Sequence, residues 1–416
     1  MPGRIRVLDA ANRTMQRLGY LKGLCALVNE TETSNLASLG KRFIDRITKR
    51  VKISPPFDAD IRNYVQNRLT DNVYSDLRKL VLDGTKEGAV WLEIQDVYLA
   101  DGSLPSRTGK LVQANWRKYP NLGTALDLIK KGTYSALTRS LVLLALTPLE
   151  ERAAFIELDR AHNPLKLSEA QILLLLYGIL DNDSEALLPL YQKLLSYGQR
   201  VFTERDAGEL FPDILRTVVK GHQRRSVTAE ERDRLAILTK TAASIEKWKQ
   251  KSYTGGGARE ETVRVRLEPF CDLRLLRKPN VDRYDYRLTD ELVTLIGSWE
   301  DSEATDVFLQ KRFFKTFADC HHLVVDSADE HEVVDALVAA GKDLKSSLGY
   351  SPITDVGLLA AIRLFTEKRK IVELATITDL LKSLQKQDPY FVRFTVDRMG
   401  NMAHVKFLKE SPEERL

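Results

Sequence analysis

Residues 263–289 read VRVRLEPFCDLRLLRKPNVDRYDYRLT. Seven cations stand in this otherwise apolar stretch: Arg264, Arg266, Arg274, Arg277, Lys278, Arg283 and Arg287. Its first part supports two readings. Val263, Val265 and Leu267 alternate with Arg264 and Arg266, which is the period of a strand. Val263, Leu267 and Phe270 are also spaced i, i+4, i+7, and Glu260 and Glu261 suit a helix N-terminus. Pro269 disfavours helical backbone at Glu268, and periodicity alone leaves the choice open. The second part is plainer. LLRK and RYDYRLT flank a turn at Pro279–Asp282, with Tyr284, Tyr286 and Leu288 on one face and Arg283, Asp285 and Arg287 on the other. Thr289, followed by Asp290 and Glu291, then caps a new helix.

Working outward, Thr228-Ala-Glu-Glu231 opens a helix reaching about residue 251, and SYTGGGA (252–258) is the clearest flexible break in the chain. On the C-terminal side DELVTLIGSW and VFLQKRFFKTFADC read as helices, His321–Asp326 as a short strand, and Asp329–Ser346 as a helix. Helices over about 354–370 and 376–387 follow. YFVRFTVDRMGNMAHVKFLK then alternates on both sides of Gly400 and Asn401, the pattern of a β-hairpin.

The run L-E-P-F-C-D-L-R-L-L-R-K, a short turn and Y-D-Y-R-L-T resemble the end of a winged helix-turn-helix domain. There a recognition helix is followed by a short strand, a wing hairpin and a return strand. The resemblance covers residues 226–296 and implies the helical reading of 263–273. Arg274 stands where that superfamily usually has a helix-ending glycine, a position that often needs positive φ. Residues 351–409, helix, helix and hairpin, look like a second member. In that superfamily the helix docks in the major groove and the wing reaches the backbone or minor groove. Carried over, Arg259, Arg264 and Arg266 would lie on the helix, and Arg277, Lys278 and Arg283 on the wing. Such modules also serve as protein-binding scaffolds, in which case cations beside Asp272, Asp282 and Asp285 would be surface ion pairs.

An independent cationic helix is expected over TSNLASLGKRFIDRITKRVK (33–52). Leu36, Gly40, Ile44, Ile47 and Val51 form one stripe. Lys41, Arg42, Arg46, Lys49, Arg50 and Lys52 face only Asp45, a lopsided face suited to nucleic-acid phosphate or to acidic lipid, with Arg42, Arg46, Lys49 and Arg50 the expected nucleic-acid contacts. Ser54, Pro55 and Pro56 end it. A helix over 58–82 and a strand at 89–99 follow. From 121 to 199 the pattern is strongly helical. Thr147 and Pro148 mark one helix start, Ser168 and Gln171 form a capping box, and ILLLLYGIL (172–180) is apolar nearly all round, as a buried helix requires.

The bulk numbers bound these readings. With 416 residues, 43% hydrophobic and 29% charged, the chain suits a folded, water-soluble protein of several domains. Its longest apolar run is far short of the roughly 20 residues that span a bilayer. MPGRIRVLDAANR has no secretory apolar core, and three separated cysteines give no disulfide framework, so a cytoplasmic protein without a membrane partner is expected. Net charge is +5, from 63 basic and 58 acidic residues, so the clustering of cations matters more than their excess.

Catalytic motifs fail on their spacing. Gly102 and Gly109 are six residues apart where a phosphate loop has four, and Leu111 replaces its hydroxyl. Asp319, Cys320, His321, His322 and His331 lack a Cys-x-x-Cys partner, and adjacent strand residues point apart. Asp326 and Asp329 resemble strand-end magnesium ligands without further acids, and Asp329 also suits a helix cap. Asp83 and Glu93 hint at a metal-dependent nuclease, but Gln95 stands where lysine belongs. No cofactor is expected.

The expected fold is mainly α with small β-hairpins, multi-domain, with winged-helix modules joined to a helical core. Four domains follow: 1–120 (α/β, with the basic helix), 121–225 (helical core), 226–300 (winged helix) and 301–416 (α+β, a second winged helix). The expected function is a double-stranded DNA-binding, non-catalytic subunit of a larger DNA-handling assembly with protein partners, in a bacterial setting such as antiviral defence. An interaction scaffold and a metal-dependent nuclease are the alternatives.

Overall fold

The structure is a computed structural model that describes residues 4–8, 18–31, 122–123, 125–130, 133–145, 167–198, 200–224, 229–250, 258–277, 285–299, 305–397 and 400–409. These residues are mainly helical, with a few short strands. The expected helices at 33–52 and 58–82, the strand at 89–99 and the helix start at Thr147 lie outside them.

The sequence from Leu18 onward gives α1 (Leu18–Thr31), a minimal hairpin of β1 (Ile129–Lys130) and β2 (Thr133–Tyr134), and α2 (Ala136–Leu143). The long helix α3 (Glu169–Ser196) begins at the expected capping box: Ser168 Oγ accepts from the Gln171 amide at 3.0 Å, and Gln171 Oε1 accepts from the Ser168 amide at 3.1 Å. Ile172 to Leu176 are all buried, as an all-apolar helix surface demands.

After α3 the chain forms β3 (Val201–Thr203), α4 (Glu204–Gln223), α5 (Ala229–Gln250), α6 (Ala258–Asp272), β4 (Leu276–Arg277), β5 (Asp285–Leu288) and α7 (Asp290–Ser298). The helical reading of 263–272 is the observed one, and α6 runs through Pro269. Arg274 ends the turn with φ 63°, the left-handed value expected at this position. The Leu275 amide reaches back to the Phe270 carbonyl at 2.9 Å, closing the end of the helix. Strands β3, β5 and β4 form one antiparallel sheet in that order. Strand β3, before the expected boundary at 225/226, pairs with β5, which follows it. Segment 4–8 packs on α3.

The remainder gives α8 (Thr305–Val307), a π-helical turn (Phe308–Arg312), α9 (Phe313–Cys320), β6 (Asp326–Ser327) and α10 (Glu330–Leu344). Then come β7 (Ser351–Pro352), α11 (Ile353–Lys368), β8 (Lys370–Ile371), α12 (Leu374–Gln387), β9 (Val392–Val396) and β10 (Met402–Phe407). The expected strand at 321–326 is corrected to the two residues of β6, which pair in parallel with β8. His322 turns with φ 53° and Val324 is 86% exposed, so 321–325 has neither the backbone nor the partner of a strand. The C-terminal hairpin forms as expected around Gly400, whose φ of 83° is the left-handed value glycine supplies without strain. Its sheet order is β7-β10-β9.

Two stretches therefore share one element order. Helix, strand, helix, helix and a strand pair occur as α3, β3, α4, α6, β4 and β5, with α5 inserted, and again as α10, β7, α11, α12, β9 and β10, with β8 inserted. In both sheets the last strand lies between the other two. An aromatic cluster of Trp299, Phe308, Phe313, Phe314, Phe317 and Phe365 fills the space between them, with the Trp299 and Phe308 rings stacked at 5.5 Å.

Candidate nucleic-acid interface

The helix α6 is buried on most sides. Val263, Leu267 and Phe270 form its apolar stripe, and Arg266, Glu268 and Cys271 are buried beside them. The Arg266 guanidinium meets the Asp183 carboxylate of α3 at 2.7 Å (Nε to Oδ2), with Nη2 donating to Oδ1 at 2.9 Å and to the Leu8 carbonyl at 3.2 Å. It also lies 4.6 Å from the Phe211 ring centroid of α4. Arg264 is held by Glu204 of α4, Nη2 to Oε1, at 2.8 Å. Glu268 accepts from the Tyr286 hydroxyl at 2.6 Å, and Tyr191 donates to the Arg266 carbonyl at 3.2 Å. Burial first, then the neighbouring Glu268 carboxylate, pushes the Tyr286 hydroxyl well above its ordinary range, so it stays protonated and donates.

This corrects the expectation for two residues. Arg264 and Arg266 do not face solvent along a recognition helix; each is neutralised by a carboxylate from a neighbouring helix. Segment 4–8 covers the Arg266 side. Its Leu8 amide donates to Asp183 Oδ1 at 2.9 Å, its Arg6 amide to Glu185 Oε2 at 2.9 Å, and Arg4 bonds Asn182 at 2.6 Å and Asp181 at 3.0 Å. Asp272, at the end of α6, accepts from the Leu18 amide that begins α1, at 2.6 Å. Arg259 lies in the first turn of α6.

The sheet shows the opposite behaviour. Leu276 and Leu288 pair in register and are buried, and Tyr286 lies on the same inner side against Phe202, ring centroids 5.7 Å apart. Alternation then sends Val201, Arg277 and Arg287 outward. Arg287 is directly opposite both Val201 and Arg277. The two guanidinium groups are exposed, and no ion pair neutralises either among the described residues. Like charges facing each other across a strand pair destabilise it by roughly 0.2–1 kcal/mol. A phosphate laid across them converts that repulsion into attraction. Asp285 stands two residues before Arg287 on the same face of β5 without an ion pair to it among the described residues, and Asp290, three residues after Arg287, is engaged by Arg200 at 2.5 Å.

Of the remaining expected contacts, Lys278 and Arg283 on the hairpin, and Arg42, Arg46, Lys49 and Arg50 on the basic helix, lie outside the described residues. Arg287 was present in the sequence pattern but not singled out. The signal was the alternation of Arg283, Asp285 and Arg287 against Tyr284, Tyr286 and Leu288.

Of the acids considered for catalysis, Asp83 and Glu93 lie outside the described residues and Asp329 has structural work. Asp329 caps α10: its carboxylate accepts from the Glu332 amide at 2.9 Å, and Glu332 accepts from the Asp329 amide at 3.2 Å. That hydrogen bond holds the Asp329 carboxyl below its usual range. Asp326 is exposed on β6. His331 pairs with Asp335 of its own helix at 3.3 Å, and burial lowers the affinity of His321 for a proton. Among the described residues no cluster of three or more His, Cys, Asp or Glu is placed to hold a metal ion, and no helix is long and apolar enough to cross a membrane.

No protein-family model, no curated protein and no solved structure matches this chain.

Proposed function

We propose that the chain is a winged-helix protein that binds double-stranded DNA, as a non-catalytic subunit of a larger DNA-handling assembly such as a bacterial defence system. The order β3-β5-β4, with α4 and α6 between its first and second strands in sequence, supports the winged-helix reading, and β7-β10-β9 repeats it. The observation that carries the DNA reading is the outward, uncompensated Arg277–Arg287 pair at the base of the hairpin. Contact through the wing, not through the buried face of α6, is the form this reading now takes. Phosphates dominate such binding, and each contact releases condensed counterions.

The test is fluorescence anisotropy of a labelled 30-base-pair duplex across a salt series. Affinity should fall steeply with salt. Arg277→Ala with Arg287→Ala should weaken binding at low salt and flatten the log–log slope by about 1.8, at about 0.9 per phosphate contact. Absent or salt-independent binding would overturn the reading.

A scaffold that binds protein through these modules is the second reading. It is favoured by the burial of α6 beneath segment 4–8, which removes the usual base-reading surface. Co-purification with a partner that survives high salt is its sign.

A further inference from the structure

On the π-helical turn and α9 three cations, Lys311, Arg312 and Lys315, are exposed close together. Phe308 and Phe313 are five residues apart, as are Leu309 and Phe314, and all four are buried. An α-helix would rotate one member of each pair off the core, whereas a π turn bonds i to i+5 and brings both inside. The same widening leaves Lys311, Arg312 and Lys315 outward. They border a groove of about 680 Å³ whose other side is formed by Ser327, the end of β8 and Thr376 of α12. Lys315 is engaged by Asp319, and Glu373 also borders the groove, so two carboxylates face three cations. Lys311 and Arg312 carry no ion pair among the described residues, and the Arg312 guanidinium rests 5.9 Å from the Phe308 ring centroid.

We infer that this groove is a second contact for the sugar-phosphate backbone of the same duplex, an inference that rests on the DNA reading above. Two observations favour a nucleic-acid strand over an acidic protein. The hydroxyls of Ser298 and Ser327 line the groove with the cations and suit phosphate oxygens, while that of Thr376 is given to the Glu373 carbonyl at 2.8 Å. The groove is also linked to the arginine pair by one rigid element. Arg287 lies three positions before α7, and Ser298, which borders the groove, is the last of the nine residues of that helix. At 1.5 Å per residue that is about 14 Å, or about four base-pair steps of a duplex. One duplex can span both.

The experiment compares binding of a 30-base-pair and an 8-base-pair duplex by the unsubstituted chain, by Lys311→Ala with Arg312→Ala, and by Arg277→Ala with Arg287→Ala. Both positions of the new pair are exposed, and an unchanged thermal midpoint verifies the fold. The expected result is a loss of about tenfold or more on the long duplex at low salt, with a slope reduced by about 1.8, and a comparable fold-loss on the short one, whose seven steps still span the roughly four between the contacts. Long-duplex binding unchanged in Lys311→Ala/Arg312→Ala, while Arg277→Ala/Arg287→Ala weakens it, overturns the groove and leaves the hairpin contact standing. The reverse pattern upholds the groove and removes the hairpin. Displacement of DNA by poly-glutamate as readily as by an unlabelled duplex of equal charge overturns the groove in favour of an acidic protein. No binding by the unsubstituted chain overturns both.

Discussion

Arg266 and Asp183 set the energetic character of the first unit. Both side chains are almost fully buried, at 2% and 0% exposure, so neither charge has water to fall back on. Removing one partner of such a pair strands the other, at a cost of about 3–5 kcal/mol. Asp183→Asn should therefore lower the thermal midpoint sharply, while the salt slope of duplex binding, read at a temperature where the variant is folded, stays unchanged. A DNA-contacting role for Arg266 would show the opposite split in Arg266→Met. Arg274 gives a prediction of the other sign. Its φ of 63° strains a side-chain-bearing residue, and glycine adopts that conformation without a Cβ clash. Arg274→Gly should stabilise the fold by about 1 kcal/mol, seen as a raised midpoint in denaturant. An unchanged or lowered midpoint would mean that the Arg274 side chain contributes more than its backbone costs.

At the scale of elements, local chemistry was readable and long-range pairing was not. Ser168, Thr289 and Asp329 each cap the helix their sequence context announces, because a cap needs only an amide two or three residues away. Gly400 likewise marks its hairpin. By contrast, the inward turn of Arg264 and Arg266 depends on Glu204 and Asp183, 60 and 83 residues distant, which no periodicity reports. Strand β3 was missed for the same reason: it is three residues long and is defined by its pairing with β5. The cap of α10 also predicts a pH response. Lys370, 2.6 Å away, holds the Glu332 carboxyl below its ordinary value, and the Glu332 amide does the same for Asp329. Depressed carboxyl values mean that the stabilisation is present at neutral pH and is lost as pH falls through the folded-state values, beneath the ordinary carboxylate range. Amide exchange in the first turn of α10, corrected for its intrinsic pH dependence, should show protection falling on acidification. Lys370→Gln should blunt that change; equal pH dependence in both proteins would refute the link.

Across the whole molecule, α3 is the element that holds the parts together. Its 28 residues, about 42 Å at helical rise, touch α4 of the first unit and α11 of the second. The mainly helical class was legible from composition and periodicity. The pairing of β3 with β5 was not legible, because no local pattern reports a strand partner that distant in sequence. The DNA reading therefore belongs to this scale too: surfaces on two units can act on one duplex only if α3 and α7 hold their spacing.

Segment 4–8 finds its place against residues made much later, since the Leu8 carbonyl and Arg266 are 258 positions apart. At a synthesis rate of roughly 5–20 residues per second, that interval is on the order of 10–50 seconds. Throughout it the Leu8 carbonyl and the Asp183 carboxylate lack the guanidinium that joins them in the finished protein. The nascent polypeptide therefore closes this part of its fold only after α6 has left the ribosome.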